Sequence, residues 1–210
     1  MLYLKSSGHI FNVHSQEIKL HVLSGRVDEA VQMLNTHFPF VLQENESEFT
    51  TAPPPNASSS SSPFARLQFT SQLSVKPIHI ALNLRILAFI EAARTVPLVY
   101  LGDPKRFSAG SNFPAGADCA LDASSAHQTE LLHRAQRLYA AVESLRDTRD
   151  RDIYRKELNQ VGGLLAYTVP EASPIAKYLS QERREAVADQ VNSAILCKCN
   201  PCFQRQQAFT

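Results

Sequence analysis

The sequence predicts an all-α fold of packed helical hairpins. Apolar residues recur at helical spacing in several stretches, one stretch is apolar nearly all round, and no stretch alternates apolar and polar residues with period two. The 210 residues suffice for one or two domains with a sizeable core.

The first element is a hairpin in "LSGRVDEAVQMLNTHFP", Leu23 to Pro39. Ile18, Val22 and Leu23 mark a short helix ending at Gly25, which takes the left-handed conformation of a helix C-cap without a Cβ penalty. Val27, Ala30, Val31, Leu34 and Phe38 stand at i, i+3, i+4, i+7 and i+11, so one face of a second helix must be buried. Asp28 and Glu29 sit in its first turn, where negative charge meets the positive end of the dipole, and Pro39 stops it.

Residues 44–63, "ENESEFTTAPPPNASSSSSP", contain one large apolar residue, Phe49, and cannot bury enough surface to offset their ordering entropy. They read as a disordered Ser/Pro insertion. Ser62 precedes Pro63, the dipeptide a proline-directed kinase would read, but a Ser/Pro linker produces it by composition, and the linker reading is preferred.

From about Pro77 to Arg94 the chain is apolar nearly all round, as befits a central helix. His79 and Asn83 share one face of it and read as polar groups satisfied within the fold, with no acidic or nucleophilic residue arranged with them. Residues 97–126 read as a loop. A helix follows with Leu131, Ala135, Leu138, Val142 and Leu145 on one stripe, ending in the charged run "RDTRDRD". Tyr154, Leu158, Val161 and Leu165 make the next stripe, in which Gly162 and Gly163 signal either a close helix crossing or a break, and the crossing is preferred. Ser173 is placed to cap a short helix with Pro174 at its first position, and Ser180 to cap the last helix, which buries Val187, Val191, Ala194 and Ile195.

Composition narrows the function classes. With 21 Lys+Arg against 20 Asp+Glu and no long basic run, nothing points to nucleic acid or an acidic membrane. The apolar stretch from Ile78 to Ala93 is shorter than the roughly 20 residues a span needs and carries Arg85 and Glu91. The N-terminus lacks an h-region with a small-residue cleavage site, so a cytoplasmic or nuclear location is expected. No GxSxG, HExxH or GxxxxGK[ST] pattern occurs, and no catalytic, cofactor-binding or metal residue is assigned. Cys197, Cys199 and Cys202 have zinc-compatible C-x-C-x-x-C spacing, but no fourth ligand is evident and a tail with incidental cysteines is preferred.

Three segments carry a family resemblance. "IKLHVLSGRVDEAVQMLNTHFP" resembles the start of a CTLH domain, with its "GRxxEA" hairpin, and "LNLRILAFIEAAR" the following "LxxQxFIExxR" helix. From Glu157 to Leu196 the chain is similar, without a gap, to the CRA pattern "LLAYxxPExSPxxxLLxxxxRxxVAxxxNxAIL". The resemblance is to RanBPM-type scaffold subunits of the GID/CTLH E3 ubiquitin ligase. It implies an N-terminal extension at 1–14, a CTLH-like region at 15–96, a loop at 97–126, a CRA-like region at 127–197 and a tail at 198–210. It further implies a non-catalytic adaptor that takes no cofactor and binds other CTLH/LisH-type and RING-bearing subunits, with homo- or hetero-oligomers in view. The RanBPM branch carries a SPRY domain and a LisH motif upstream; neither is expected in this chain. The interface residues stay unidentified, and a small-GTPase (Ran) regulator or an unrelated helical adaptor are the alternatives.

Overall fold

The computed structural model describes residues 3–43, 74–96, 98 and 117–199. Within them the chain forms α1 (Tyr3–Leu23), α2 (Val27–His37), α3 (Pro77–Ala92), α4 (Ala117–Glu143), α5 (Thr148–Gly162) and α6 (Gln181–Cys199), joined in places by short 3-10 turns, and no strand. The fold is all-α, as the periodicity predicts. The Ser/Pro insertion with Ser62, residues 99–116 of the expected loop, and Cys202 lie outside the described residues.

The hairpin corner forms as the sequence requires. Gly25 has φ +76°, its N–H donates to the Val22 carbonyl at 3.1 Å, and the Arg26 N–H donates to the His21 carbonyl at 2.9 Å. These paired bonds satisfy the last carbonyls of α1, and only a residue at ease in the left-handed region makes them cheaply. Helix α1 is longer than its apolar residues suggest and reaches back to Tyr3. Helix α2 stops where Pro39 opens the 3-10 turn Pro39–Val41.

Helix α3 lies between two apolar cores, which is why it is apolar nearly all round. Ile80, Leu84 and Leu87 face a first core built with α1, α2 and the Val187–Ile195 face of α6. Leu82, Ile86, Phe89 and Ile90 face a second core built with α4 and α5. Because α6 closes the first core, the last helix of the chain packs beside the first. The two run antiparallel, the Ser15 hydroxyl donating to Asn192 Oδ1 and Lys19 Nζ to Asp189 Oδ1, each at 2.9 Å.

The second half departs from expectation in detail. Helix α4 starts at Ala117, inside the stretch read as loop, where alanine recurs and favours helix. The Gly162-Gly163 pair ends α5: the backbone tightens there into the 3-10 turn Gly163–Ala166, which buries Leu164 and leaves Leu165 exposed. A continuous helix through a close crossing is therefore not what forms, although a Cβ on Gly163 would stand 3.2 Å from Ile175 Cδ1. Ser173 does not cap a helix; its hydroxyl turns back to donate to the Pro170 carbonyl at 2.6 Å, and the helix expected after it is the 3-10 turn Ala176–Leu179. Ser180 has the extended backbone of a residue preceding a helix, but its buried hydroxyl makes no hydrogen bond. No described helix is long and apolar enough to cross a membrane.

Candidate interaction surface

The most connected polar node joins the hairpin corner to the last helix. Glu91, at the end of α3, accepts from Arg94 Nε at 2.8 Å and from Arg184 Nη1 at 2.9 Å, all three side chains being nearly buried. Arg94 and Arg184 also donate to the Leu179 carbonyl, at 2.7 and 3.3 Å. The corner seats against this node: a Cβ on Gly25 would stand 3.0 Å from Glu91 Oε2 and 2.8 Å from Leu98 Cδ1. Residues from the "GRxxEA", "FIExxR" and "RxxVA" patterns thus meet at one place, which sequence spacing alone does not reveal.

Two further polar links hold the irregular chain between α5 and α6. Arg183 and Glu157 form an ion pair at 2.5 Å with both side chains almost wholly buried, and the Arg183 guanidinium lies 5.7 Å from the Tyr178 ring centroid. Glu171 accepts from the backbone N–H of Thr95 and Val96 and from the Thr95 hydroxyl, at 2.7 to 2.9 Å. Burial disfavours its charge, but these donors outweigh that cost and hold its carboxyl down at about 2.

His79 and Asn83 are satisfied inside the fold. Asn83 Nδ2 donates to Gln190 Oε1 at 2.8 Å. His79 bridges Ser74 Oγ at 2.8 Å on Nδ1 and Asp150 Oδ2 at 2.9 Å on Nε2, so an acidic residue and a hydroxyl are both arranged with it, contrary to the sequence reading. Asp150 is far away in sequence and carries no local signal. The serine, histidine and carboxylate superficially match a nucleophilic relay. Two features weigh against that role: Ser74 Oγ already accepts the Lys76 N–H at 3.3 Å, and the imidazole is nearly buried. The chain Ser74–His79–Asp150 ties the start of α3 to α5. Burial lowers the His79 pKa, and attraction to Asp150 only partly restores it.

The structure separates buried from exposed apolar residues. Leu132 and Tyr139 are exposed on one face of α4, seven residues apart, and Leu165, Tyr167 and Val169 are exposed just beyond α5. Helices α4 and α5 run antiparallel, with Glu143 paired to Arg155 and the Tyr139 hydroxyl donating to Asn159 Oδ1. That register brings Leu132 level with the turn that carries Leu165. These five residues are exposed apolar side chains on α4 and on the chain just beyond α5, and the signal in the sequence is that Leu132 and Tyr139 fall off the buried stripe of Leu131, Leu138 and Val142.

Among the described residues no group of three or more His, Cys, Asp or Glu is placed to hold a metal ion, and Cys197 is exposed near the end of α6. Searches of curated proteins and of solved structures find no match. A protein-family model does match. Described as the CTLH/CRA C-terminal to LisH motif domain, it spans residues 12–201 and so takes in both cores, the Glu91 node and these exposed apolar residues. This protein-interaction domain belongs to no catalytic family, and the chain is a member of the CTLH family.

Proposed function

We propose that the protein is a non-catalytic scaffold subunit, of RanBPM type, in a GID/CTLH-type E3 ubiquitin ligase. The observation that carries this reading is the family match from residue 12 to residue 201, which covers nearly all of the described fold. Its partners are other CTLH/LisH-type subunits and the RING-bearing subunits that carry out ubiquitin transfer, and its place of work is the cytoplasm, the nucleus or both. Binding would use apolar helical surface. Leu132, Tyr139, Leu165, Tyr167 and Val169 supply aromatic and aliphatic side chains of the kind that anchor interfaces.

The test uses the full chain, tagged in its own cells. It should co-purify with RING-bearing and other CTLH-type proteins and hold them at raised salt, because apolar contact is not screened as ion pairs are. Alone with E1 and E2 it should transfer no ubiquitin. The paired substitution Leu132→Asp and Val169→Asp, both on the exposed surface, should release partners while leaving helicity unchanged. Recovery of no ligase subunit by the folded chain, or unaided ubiquitin transfer, would overturn the assignment.

A further inference from the structure

A recess of about 500 Å³ opens between the start of α2, the middle of α3 and α4, within the size range of ligand sites. Its floor is apolar, formed by Ala88 and the buried Leu138, and three arginines converge on it: Arg85, Arg134 and Arg137. Two carboxylates stand at the same recess, and Arg134 holds both. It donates to Glu130 Oε1 at 2.9 Å and reaches Asp28 Oδ2 at 3.4 Å. Hydrogen bonding from Arg134, helped by the nearby charge of Arg137, keeps the Glu130 carboxyl below its usual range, so the pair is ionised at neutral pH.

Arg85 and Arg137 make no hydrogen bond or ion pair with any described residue. No carboxylate stands three or four residues from either on its helix, the neighbours of Arg85 being Ala81, Leu82, Ala88 and Phe89 and those of Arg137 being His133, Arg134, Ala140 and Ala141, and Glu130, two turns from Arg137, is hydrogen-bonded by Arg134. Like charges gathered one turn apart and across a shared recess repel each other, and a bound anion relieves that repulsion.

We propose that this recess binds an acidic segment of a partner protein, a carboxylate meeting Arg85 and Arg137 while an adjacent aliphatic side chain covers Ala88 and Leu138. Guanidinium groups favour carboxylates through paired hydrogen bonds, and the apolar floor asks for a hydrocarbon neighbour that a phosphate backbone does not supply. A formal net charge of +1 for the whole chain, with no long basic run, also disfavours a nucleic acid. The recess is separate from the apolar surface: Glu130, Arg134 and Arg137 lie on the face of α4 opposite Leu132 and Tyr139. The inference therefore does not depend on the ligase assignment.

The experiment titrates the full chain into fluorescently labelled probes and follows anisotropy. The probes are a short peptide of alternating Asp/Glu and Leu, its Asn/Gln counterpart, its Asp/Glu and Ser counterpart, and a single-stranded RNA. The acidic Leu peptide should bind at least about tenfold more tightly than either counterpart or the RNA. Its affinity should fall between about 0.1 M and 1 M salt as the screening length shrinks from about 10 Å to about 3 Å. The double change Arg85→Glu and Arg137→Glu should abolish binding. Arg85→Gln with Arg137→Gln, gentler at these exposed positions, should weaken it by at least about tenfold with an unchanged helical spectrum. No binding of the acidic Leu peptide up to roughly 1 mM, equal binding of the amide or Ser peptides, tighter binding of RNA, or indifference to the arginine substitutions would each overturn the proposal. None of these outcomes bears on whether the chain co-purifies with ligase subunits.

Discussion

The two cores on either side of α3 are built by different means. The first, between α1, α2, α3 and α6, is closed mainly by aliphatic side chains at helical spacing, and its polar links are neutral where buried, as between Asn83 and Gln190, and charged only at the exposed Lys19–Asp189 contact. The second, between α3, α4 and α5, is bordered by buried charge, Arg183 with Glu157 and Glu91 with Arg94 and Arg184, and by the His79–Asp150 hydrogen bond. The difference follows from the backbone. Between α5 and α6 the chain passes through three short 3-10 turns, at Gly163–Ala166, Pro170–Ala172 and Ala176–Leu179. Such irregular backbone leaves groups such as the Leu179 carbonyl without helical partners, and buried side chains must supply them. Packed regular helices are held mainly by hydrocarbon; the irregular chain draws charged side chains inward to meet its carbonyls.

The largest expected effect breaks the charged side. Glu157→Ala leaves Arg183 buried without its carboxylate, and should cost about 3–5 kcal/mol in urea unfolding. Replacing both partners by apolar residues, Arg183→Met with Glu157→Leu, should recover most of that loss, because the desolvation cost of both charges is removed together. A double variant as unstable as the single one would mean that the pair contributes more than mutual neutralisation. Next comes the point where the two sides touch. Gly25→Val must hold a β-branched residue at φ +76° and push a Cβ into Leu98 and Glu91. The backbone strain alone is worth about 1–3 kcal/mol, and Gly25→Ala should show a smaller share of the same loss. An unchanged melting curve for either variant would remove the corner from the account of stability.

Acid should act on the charged side first. Burial pushes the His79 pKa down from its ordinary 6.5, despite the attraction of Asp150, while Lys76 and Asp147 add smaller opposing effects. The unfolded chain therefore takes up a proton more readily, and stability present above pH 6.5 is lost as pH falls below it. Glu171 behaves in the complementary range: held at about 2 against an ordinary 4.5, it contributes stability above pH 4.5 that is lost as pH falls towards 2. Melting temperature measured against pH should fall in both windows. His79→Gln should flatten the upper one relative to the unaltered chain, and Glu171→Gln the lower one. A melting temperature independent of either substitution would show that neither group is coupled to folding.

The same contrast governs what could be read from the sequence. The apolar stripe of α2, the Gly25 corner, the Pro39 stop and the double-sided character of α3 were legible because each rests on residues close together in sequence with one dominant physical cause. The break at Gly162-Gly163 was misread because two glycines are compatible with a crossing or an ending, and the choice depends on Leu164 turning into the second core. Asp150 beside His79 and Arg183 beside Glu157 had no local signal, since their partners come from other helices. The candidate surface was hidden for a related reason: Leu132 and Leu131 are identical in sequence terms and differ only in which way the helix turns them.

The smallest expected effect tests the apolar side. If the first core is held by burial, the ion pair across its α1–α6 seam should matter little, even though Lys19 and Asp189 are 2.9 Å apart. Both side chains are substantially exposed, at 35% and 65%, so water screens their attraction and fixing the lysine chain costs entropy. Lys19→Ala should change unfolding free energy by no more than about 0.5 kcal/mol, and even that should vanish in high salt. Val191→Ala, a few positions from Asp189 on the buried face of α6, provides the contrast within the same seam. It removes hydrocarbon from a site 1% exposed, and should cost more than Lys19→Ala at every salt concentration, on the order of 1–2 kcal/mol. The reverse order, with the surface lysine outweighing the buried valine, would mean that charge holds this side of α3 as well and that the two cores do not differ in kind.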